Sequence, residues 1–571
     1  MEMNSAWIGL ASFIWLAGAY FVYGRFIENK LFPITGKNPT PAHRKRDGVD
    51  FVPANPLVLF GHHFASIAGA GPIIGPAMAV AYFGWGFSLI WILFGVVLIG
   101  VVHDYTTLML SLRHDGATVP FITGSVIGKS ARTLFMVFVW ITLIFIIAVF
   151  LIAAKKTLMS DARVVIPAFG MIPLAMGFGW LTNKAKLPLL PATLIALAGL
   201  VGLFGLGMEY PILLHPPGET AMESLTGTHP LILLTLSETA ASTTWILILM
   251  LYGAVAAILP VWLLLQPRDY IGYWILAFGM IAGIVGLFIV HQPITSPMFI
   301  TETGAQGPVW PMLFILVACG AVSGFHSLVS SGTTSKQLDK ESHGRPVVFG
   351  AMITEGALAV LALLAVAAGI TWTGTDVSPA QVTTQIAANP IGAFARGFAV
   401  FTDGFLGRFG FVFGVVMINA FVLTTLDTSV RLARFITAEL AEPVLPRLKN
   451  RFLSTLLVCG AALALALTGN VATLWKMFGA SNQLVASLAM IVVSVYLMRA
   501  NRPVVYTLVP ALFMLATTCG ALIWQFIGFM RLDTPGHTTL AVTALVLLGL
   551  ALYVGISGVL KIIQSRVSTA K

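Results

Sequence analysis

The sequence predicts an all-α, polytopic membrane bundle of about fifteen transmembrane helices. Three observations predict it. Hydrophobic residues make up 58% of the chain and charged residues only 9%, against roughly 25% charged in a soluble domain. Apolar segments recur along its whole length, and many reach the roughly 20 residues that a helix needs to cross a hydrocarbon core. The Lys and Arg residues between them fall almost entirely on one side of a single alternating topology. A soluble domain is thereby excluded. The net charge of +10 lies in short loops, so it reports orientation rather than nucleic-acid binding.

Taken in order, the candidate spans are 6–24, 57–83, 85–111, 133–154, 163–182, 187–207, 243–266, 270–290, 310–331, 346–369, 405–434, 452–469, 472–498, 504–528 and 538–560. The first span lacks a basic leader and a small-residue cleavage site, so it reads as retained. The linker 25–55 carries Arg25, Lys30, Lys37, Arg44, Lys45 and Arg46 and is placed in the cytoplasm. Alternation then puts Arg113, Lys184, Lys186, Arg268, Lys336, Arg345, Arg431 and Arg434 on the same side. The opposite side keeps Lys155, Lys156, Arg163, Arg396, Arg408 and Arg531, and its loop 208–230 holds Glu209, Glu219 and Glu223 with no Lys or Arg. The N-terminus is expected outside and the C-terminus inside. Lys476 falls near the outer end of its span, where it can snorkel. The pieces 208–242 and 370–404 read as extramembrane, the latter as an ordered loop. Cys319, Cys459 and Cys519 all lie in apolar spans and form no disulfide framework or CxxC motif.

The stretch Gly61-His62-His63-Phe64-Ala65-Ser66-Ile67-Ala68-Gly69-Ala70-Gly71-Pro72-Ile73-Ile74-Gly75-Pro76 does not read as one continuous helix. Pro72 lacks an N–H and disfavours the α region at Gly71. Backbone freed at membrane depth is tolerated only against protein or in a wet cavity. A broken helix flanked by polar residues is the usual form of a transporter binding site. Span 243–266, with Gly253 and Leu259-Pro260-Val261, is the expected second break, five helices later and in the opposite direction, as a five-plus-five inverted repeat requires.

Ionisable groups inside spans are costly and face a cavity or a partner. His62, His63, His103, Asp104, His326 and Asp427 fall toward the inner ends of their helices, and Glu355 falls near mid-membrane. Asp427 and Arg431 stand at i,i+4, so a helix-end ion pair is one reading and an ion or substrate role with Thr424 and Thr428 the other. Glu355 has no charged neighbour within a turn, which suits a proton-coupling residue or a structural hydrogen bond; Asp104 is similar, with His103 as a relay. Thr333 and Thr334 close a hydroxyl-rich run from Ser330 that reads as a helix end or as cation ligands. No Glu-x-x-His or His-x-x-x-His pair is present to support a metal site. Asn482 and Gln483 read as packing groups that need partners across an interface.

These residues together resemble the carbon starvation CstA family of bacterial inner-membrane transporters. The matching stretches are GHHFASIAGAGPIIGP from Gly61, VVHDY from Val101, LPVWLLLQPRDY from Leu259, GPVWPMLFILVACGAVSGFHSLVSSGTTSKQL from Gly307, LTTLDTSVRLARF from Leu423 and LWKMFGASNQLVASLAM from Leu474. The stretch 370–404 is brief where larger members carry an insertion, and Ser335 stands where some relatives have Pro. The resemblance implies a fold of the LeuT type with extra helices and uptake of peptides or pyruvate when carbon is scarce. It divides the chain into an N-terminal helix (1–24), the linker (25–55), a transporter core (56–436) and C-terminal helices (437–571).

The expected function is therefore secondary active transport of a carboxylate-bearing nutrient, not enzyme catalysis. Ser66, Gly69, Ala70, Gly71, Pro72, His62 and His63 are the expected substrate site, because free amides and a half-helix N-terminus suit a carboxylate. Asp104, His103, Glu355, Asp427, Thr333 and Thr334 are the expected ion-coupling residues, with a proton or Na⁺ as the coupling ion and no other cofactor. The expected partners are the substrate and the lipid bilayer, with no nucleic acid. A membrane-embedded metal-dependent hydrolase using His62, His63 and His103 is the rival from another class, and a channel or sensor is a third.

Overall fold

The computed structural model describes residues 3–34, 36, 39–216, 225–373, 378–441, 445–468, 471–531 and 537–569. Lys37, Glu219 and Glu223 lie outside the described residues. Thirteen stretches are helical, long and apolar enough to cross a membrane. The other two of the fifteen segments read from the sequence correspond to the shorter apolar helix Arg451–Leu467 and to the interrupted segment Val309–Gly332, neither of which is a single helix of that length. Apolar side chains such as Trp7, Ile14, Leu190, Val201, Leu251 and Ile281 remain exposed around the bundle. A belt of that kind has no place on a soluble monomer and fits a lipid-facing surface.

The first break lies where the glycines and proline place it. Helix Pro56–Ala68 opens with Pro56 at its first turn and the Asn55 side chain accepting from the Leu57 N–H. It stops at Gly69, whose φ of +47° and ψ of −153° a side chain would strain. Helix Gly71–Phe83 then restarts with Pro72 in its first turn.

The second break is not in span 243–266. Helix Glu238–Ile258 is uninterrupted, Gly253 packs toward Leu426 and Val430, and the helix ends at Leu259, held extended (ψ 152°) ahead of Pro260. The proline is a terminator there, not an interruption. The interrupted span is instead 309–332. Helix Val309–Leu316 ends, residues 317–323 turn, and helix Gly324–Gly332 begins. No proline marks this break, and its backbone is satisfied from outside. Trp91 Nε1 donates to the Val317 carbonyl at 3.2 Å, and Asn482 Oδ1 accepts from the Phe325 N–H at 2.8 Å.

The two broken spans run antiparallel and meet at their breaks. A Cβ on Gly71 would overlap the Cys319 side chain, and one on Gly75 would lie 2.8 Å from the Leu316 carbonyl. Gly320 faces the Pro72 Cα, and at the other end His63 bonds Thr334. Contact positions thus fall on one chain as they rise on the other. Small residues permit this close backbone approach, as in other membrane helix pairs.

From Pro379 on, the stretch read as an ordered loop is helical. Helix Pro379–Ala388 opens on a Ser378/Gln381 capping box, and helix Pro390–Leu406 buries Phe394, Phe398 and Phe401. Its Gly397 packs backbone to backbone against Ala365. The amphipathic spacing of these residues is too short for a span and was hidden by the Pro, Gly and Thr content. Among the described residues the only strands are Ile212–Leu213 and Leu231–Ile232, a small parallel pair in the 208–242 segment. Two long helices, Lys129–Ser160 and Gly410–Ala441, pack together behind the first break, with Thr157 Oγ1 donating to Asn419 at 2.6 Å.

Candidate functional site

The residues Gly61 to Ala81 are buried without exception, so the first break is closed on every side. Among the described residues, the Gly69, Ala70 and Gly71 N–H groups make no hydrogen bond, while the Ala70 carbonyl accepts from Ile73 and Ile74. Ser66 Oγ lies 3.2 Å from Thr428 Oγ1, and the Ser66 carbonyl accepts from Thr425 Oγ1 at 3.1 Å. A Cβ on Gly69 would stand 2.8 Å from the same Thr425 hydroxyl. The break is thus walled by the helix Gly410–Ala441 on one side and by the second break on the other.

Two buried charge clusters flank it. In the first, Asp104 accepts from two imidazoles: His103 Nδ1 at 2.7 Å on one oxygen and His326 Nδ1 at 2.9 Å on the other. His326 Nε2 then lies 3.3 Å from Glu355 Oε2. Because Nδ1–H is committed to Asp104, a neutral His326 turns a lone pair toward Glu355. That contact is not a formed hydrogen bond: His326 Nε2 and both Glu355 oxygens have no hydrogen-bond partner. The cluster ties three spans together: the one ending at Arg113, the second broken span, and helix Gly350–Gly369. The spacing within one helix could not show it, since Glu355 has no charged neighbour on its own turn.

In the second cluster, His62 Nδ1 lies 2.5 Å from Asp269 Oδ2, and Arg268 Nη1 bonds Asp427 Oδ2 at 2.7 Å. The Tyr252 hydroxyl donates to the same Asp427 oxygen at 2.5 Å, and Arg268 Nη2 reaches the Ala420 carbonyl at 3.4 Å. All four ionisable side chains are fully buried. Asp427 does not pair with Arg431. Arg431 instead bonds Asp50 at 2.7 Å and the carbonyls of Ala256 and Leu259, because it projects past the end of helix Glu238–Ile258 toward the linker. Arg268 is likewise no loop charge: it sits in the first turn of helix Leu265–Val290 and is buried. Counting it toward orientation concealed it. The Pro267-Arg268-Asp269 run inside LPVWLLLQPRDY was the available signal.

Of the expected coupling residues, the structure brings His103, Asp104 and Glu355 together through His326. It places Asp427 in the other cluster. Thr333 and Thr334 do not converge: the Thr333 hydroxyl bonds its own helix at Val329, and that of Thr334 bonds His63 Nδ1 at 2.8 Å. His62, His63 and His103 have three separate partners, and among the described residues no three His, Cys, Asp or Glu side chains form a metal-ligand set. Asn482 is the packing group expected of it, and it also caps the second half of the broken span.

The profile of the family described as "Carbon starvation protein CstA" matches residues 4–389 and 373–521. The chain belongs to the CstA family. This member is 32% identical to the peptide transporter CstA of Bacillus subtilis (strain 168), over 98% of this chain and 97% of that one. It is 30% identical to the pyruvate/proton symporter BtsT of Escherichia coli (strain K12), over 91% of this chain and 81% of that one. Among solved structures it is similar to MhsT in complex with L-phenylalanine, with a TM-score of 0.48 and 11% identity over 90% of this chain and 99% of that one. The family's matched region spans both broken helices and both charge clusters.

Proposed function

We propose that this family member imports small carboxylate-bearing nutrients, pyruvate or short peptides, by proton symport through alternating access. One observation carries the reading. A buried chain of titratable groups, His103–Asp104–His326–Glu355, crosses from the second broken span to its neighbours on both sides. A proton gained or lost there changes how the half-helix Gly324–Gly332 is held. That half packs antiparallel to the first break, so the same event alters the cavity available to substrate. The names of its relatives support the substrate class: one is a peptide transporter and another a pyruvate/proton symporter.

The substrate site is assigned to the first break, around Ser66, Gly69, Ala70, Gly71 and Pro72, with His62 and His63 beneath it. Three free amides at the start of a half-helix suit an anion. The chain is assigned to the bacterial plasma membrane, with its N-terminus outside and its C-terminus in the cytoplasm, by the Lys and Arg distribution. The test is uptake of labelled pyruvate and dialanine into proteoliposomes, with proton and sodium gradients imposed in turn. Accumulation driven by the proton gradient is expected. Accumulation that follows sodium alone would replace the coupling ion, and equilibration without accumulation would make this a channel.

A further inference from the structure

The second cluster is not needed to hold a proton chain, and it is not fully satisfied. Arg268 bonds Asp427 through Nη1 alone, and its Nε has no partner. Asp427 Oδ1 also lacks a hydrogen-bond partner, and Asp269 Oδ1 has only a long 3.7 Å contact with Arg268 Nη1, although all three side chains are fully buried. A buried pair of this kind contributes little stability compared with an apolar replacement, so its retention needs another reason. A guanidinium presents a planar fork that matches a carboxylate through two parallel N–H bonds. Here one terminal nitrogen grips Asp427, the other reaches only the Ala420 carbonyl at 3.4 Å, and Nε is free.

The position fits a transport path. Asp427 stands within one helical turn of Thr425 and Thr428, the two hydroxyls that touch the first break. On the other side Asp269 grips His62, which lies on the first half of the broken span. Arg268 is thus a buried cation linked toward the break through Asp427 and, by way of its neighbour Asp269, through His62.

We propose that Arg268 is the carboxylate-recognition residue of this pathway, exchanging Asp427 for the carboxylate of the transported molecule. The inference rests on the transport reading above and deepens it. In the exchange the Arg268 Nη1–Asp427 contact breaks, and Nε with a terminal nitrogen grips the substrate carboxylate. The entering anion adds one negative charge, so Asp427 takes one proton on Oδ1 and keeps the Tyr252 hydroxyl on Oδ2. The charge of the cluster is then unchanged. Any small carboxylate meets this requirement, and a molecule whose carboxyl is amidated does not.

The test compares the purified wild-type protein with Arg268→Lys and with the doubly neutral Arg268→Gln/Asp427→Asn, using pyruvate, dialanine and dialanine amide as probes. Thermal shift reads binding, and proteoliposome uptake reads transport. The double variant removes both charges of the Arg268–Asp427 pair and keeps the His62–Asp269 hydrogen bond, so it is expected to fold. Wild type is expected to be stabilised by a carboxylate probe and not by the amide, with proton uptake on binding. Arg268→Lys should weaken that binding by roughly ten- to a hundredfold, the scale of a lost charge-assisted contact. The double variant should bind no carboxylate probe. Wild-type affinity in either variant would overturn the inference while leaving the transport reading intact. A wild type that binds and accumulates none of the probes would overturn both.

Discussion

The antiparallel meeting of the two breaks can be tested at one pair of residues, Gly71 and Cys319. A methyl on Gly71 would overlap the Cys319 Cβ and lie 2.6 Å from its sulfur, while the Cys319 Cα is 3.6 Å away. Ordinary carbon contacts are about 3.5–4.0 Å, so Gly71→Ala requires the facing side chain to move by about 1 Å. Both residues are buried, and overpacking of this degree costs about 1–3 kcal/mol. Cys319→Gly removes the obstructing atoms and leaves only the Cα in ordinary contact. Cys319→Ala does not, because it keeps the Cβ. The double variant Gly71→Ala/Cys319→Gly should therefore be more stable than the sum of its parts by about 1–3 kcal/mol, and Gly71→Ala/Cys319→Ala should show little recovery. Inactivation half-life in detergent at a fixed temperature is the assay, since unfolding of such a protein is expected to be irreversible. Additive losses in the glycine double variant, or equal recovery with alanine, would refute the packing of break against break.

Further outcomes follow from single contacts. Glu355→Gln should abolish accumulation driven by a proton gradient while substrate still protects against thermal inactivation; unchanged accumulation would remove Glu355 from the coupling chain. Gly69→Ala places a side chain in a backbone region nearly reserved for glycine and 2.9 Å from the Phe150 ring, so it should cost about 1–3 kcal/mol, read as a shorter inactivation half-life. Asn482→Ala leaves the buried Phe325 N–H without its acceptor and should cost about 1–3 kcal/mol, with faster hydrogen exchange confined to the start of helix Gly324–Gly332. Asp47, in the linker, is exposed; partial desolvation raises its carboxyl, but N–H donors from Val49, Phe51 and Asp50 outweigh this and hold it below the usual carboxylate range. Its contribution to the linker's order is then complete above the ordinary aspartate range and lost as pH falls through the lowered value. Proteolysis of the linker should rise in acid for wild type, and Asp47→Asn should remove that pH dependence.

What the sequence determined by itself is what depends on local chemistry and on the bilayer. Span number follows from segment length, because a hydrocarbon core admits only helices of sufficient apolar run. The first break follows from Gly69, Gly71 and Pro72, whose conformational demands are their own. Which polar residues lie inside the membrane follows from their position in those runs. The second break was different. Val317 to Ser323 contains no proline, and it stays unwound because Trp91 and Asn482, distant in sequence, satisfy its backbone. Leu259-Pro260 carried the stronger local signal and only ends a helix. Partners of the charged groups were equally beyond reach. Asp427 had Arg431 one turn away and yet pairs with Arg268, and Glu355, isolated on its own helix, meets His326 from another. In a bilayer a buried charge must find some partner, so the sequence shows that one exists. Which one it finds is set by how helices pack face to face, and that packing depends on the whole bundle.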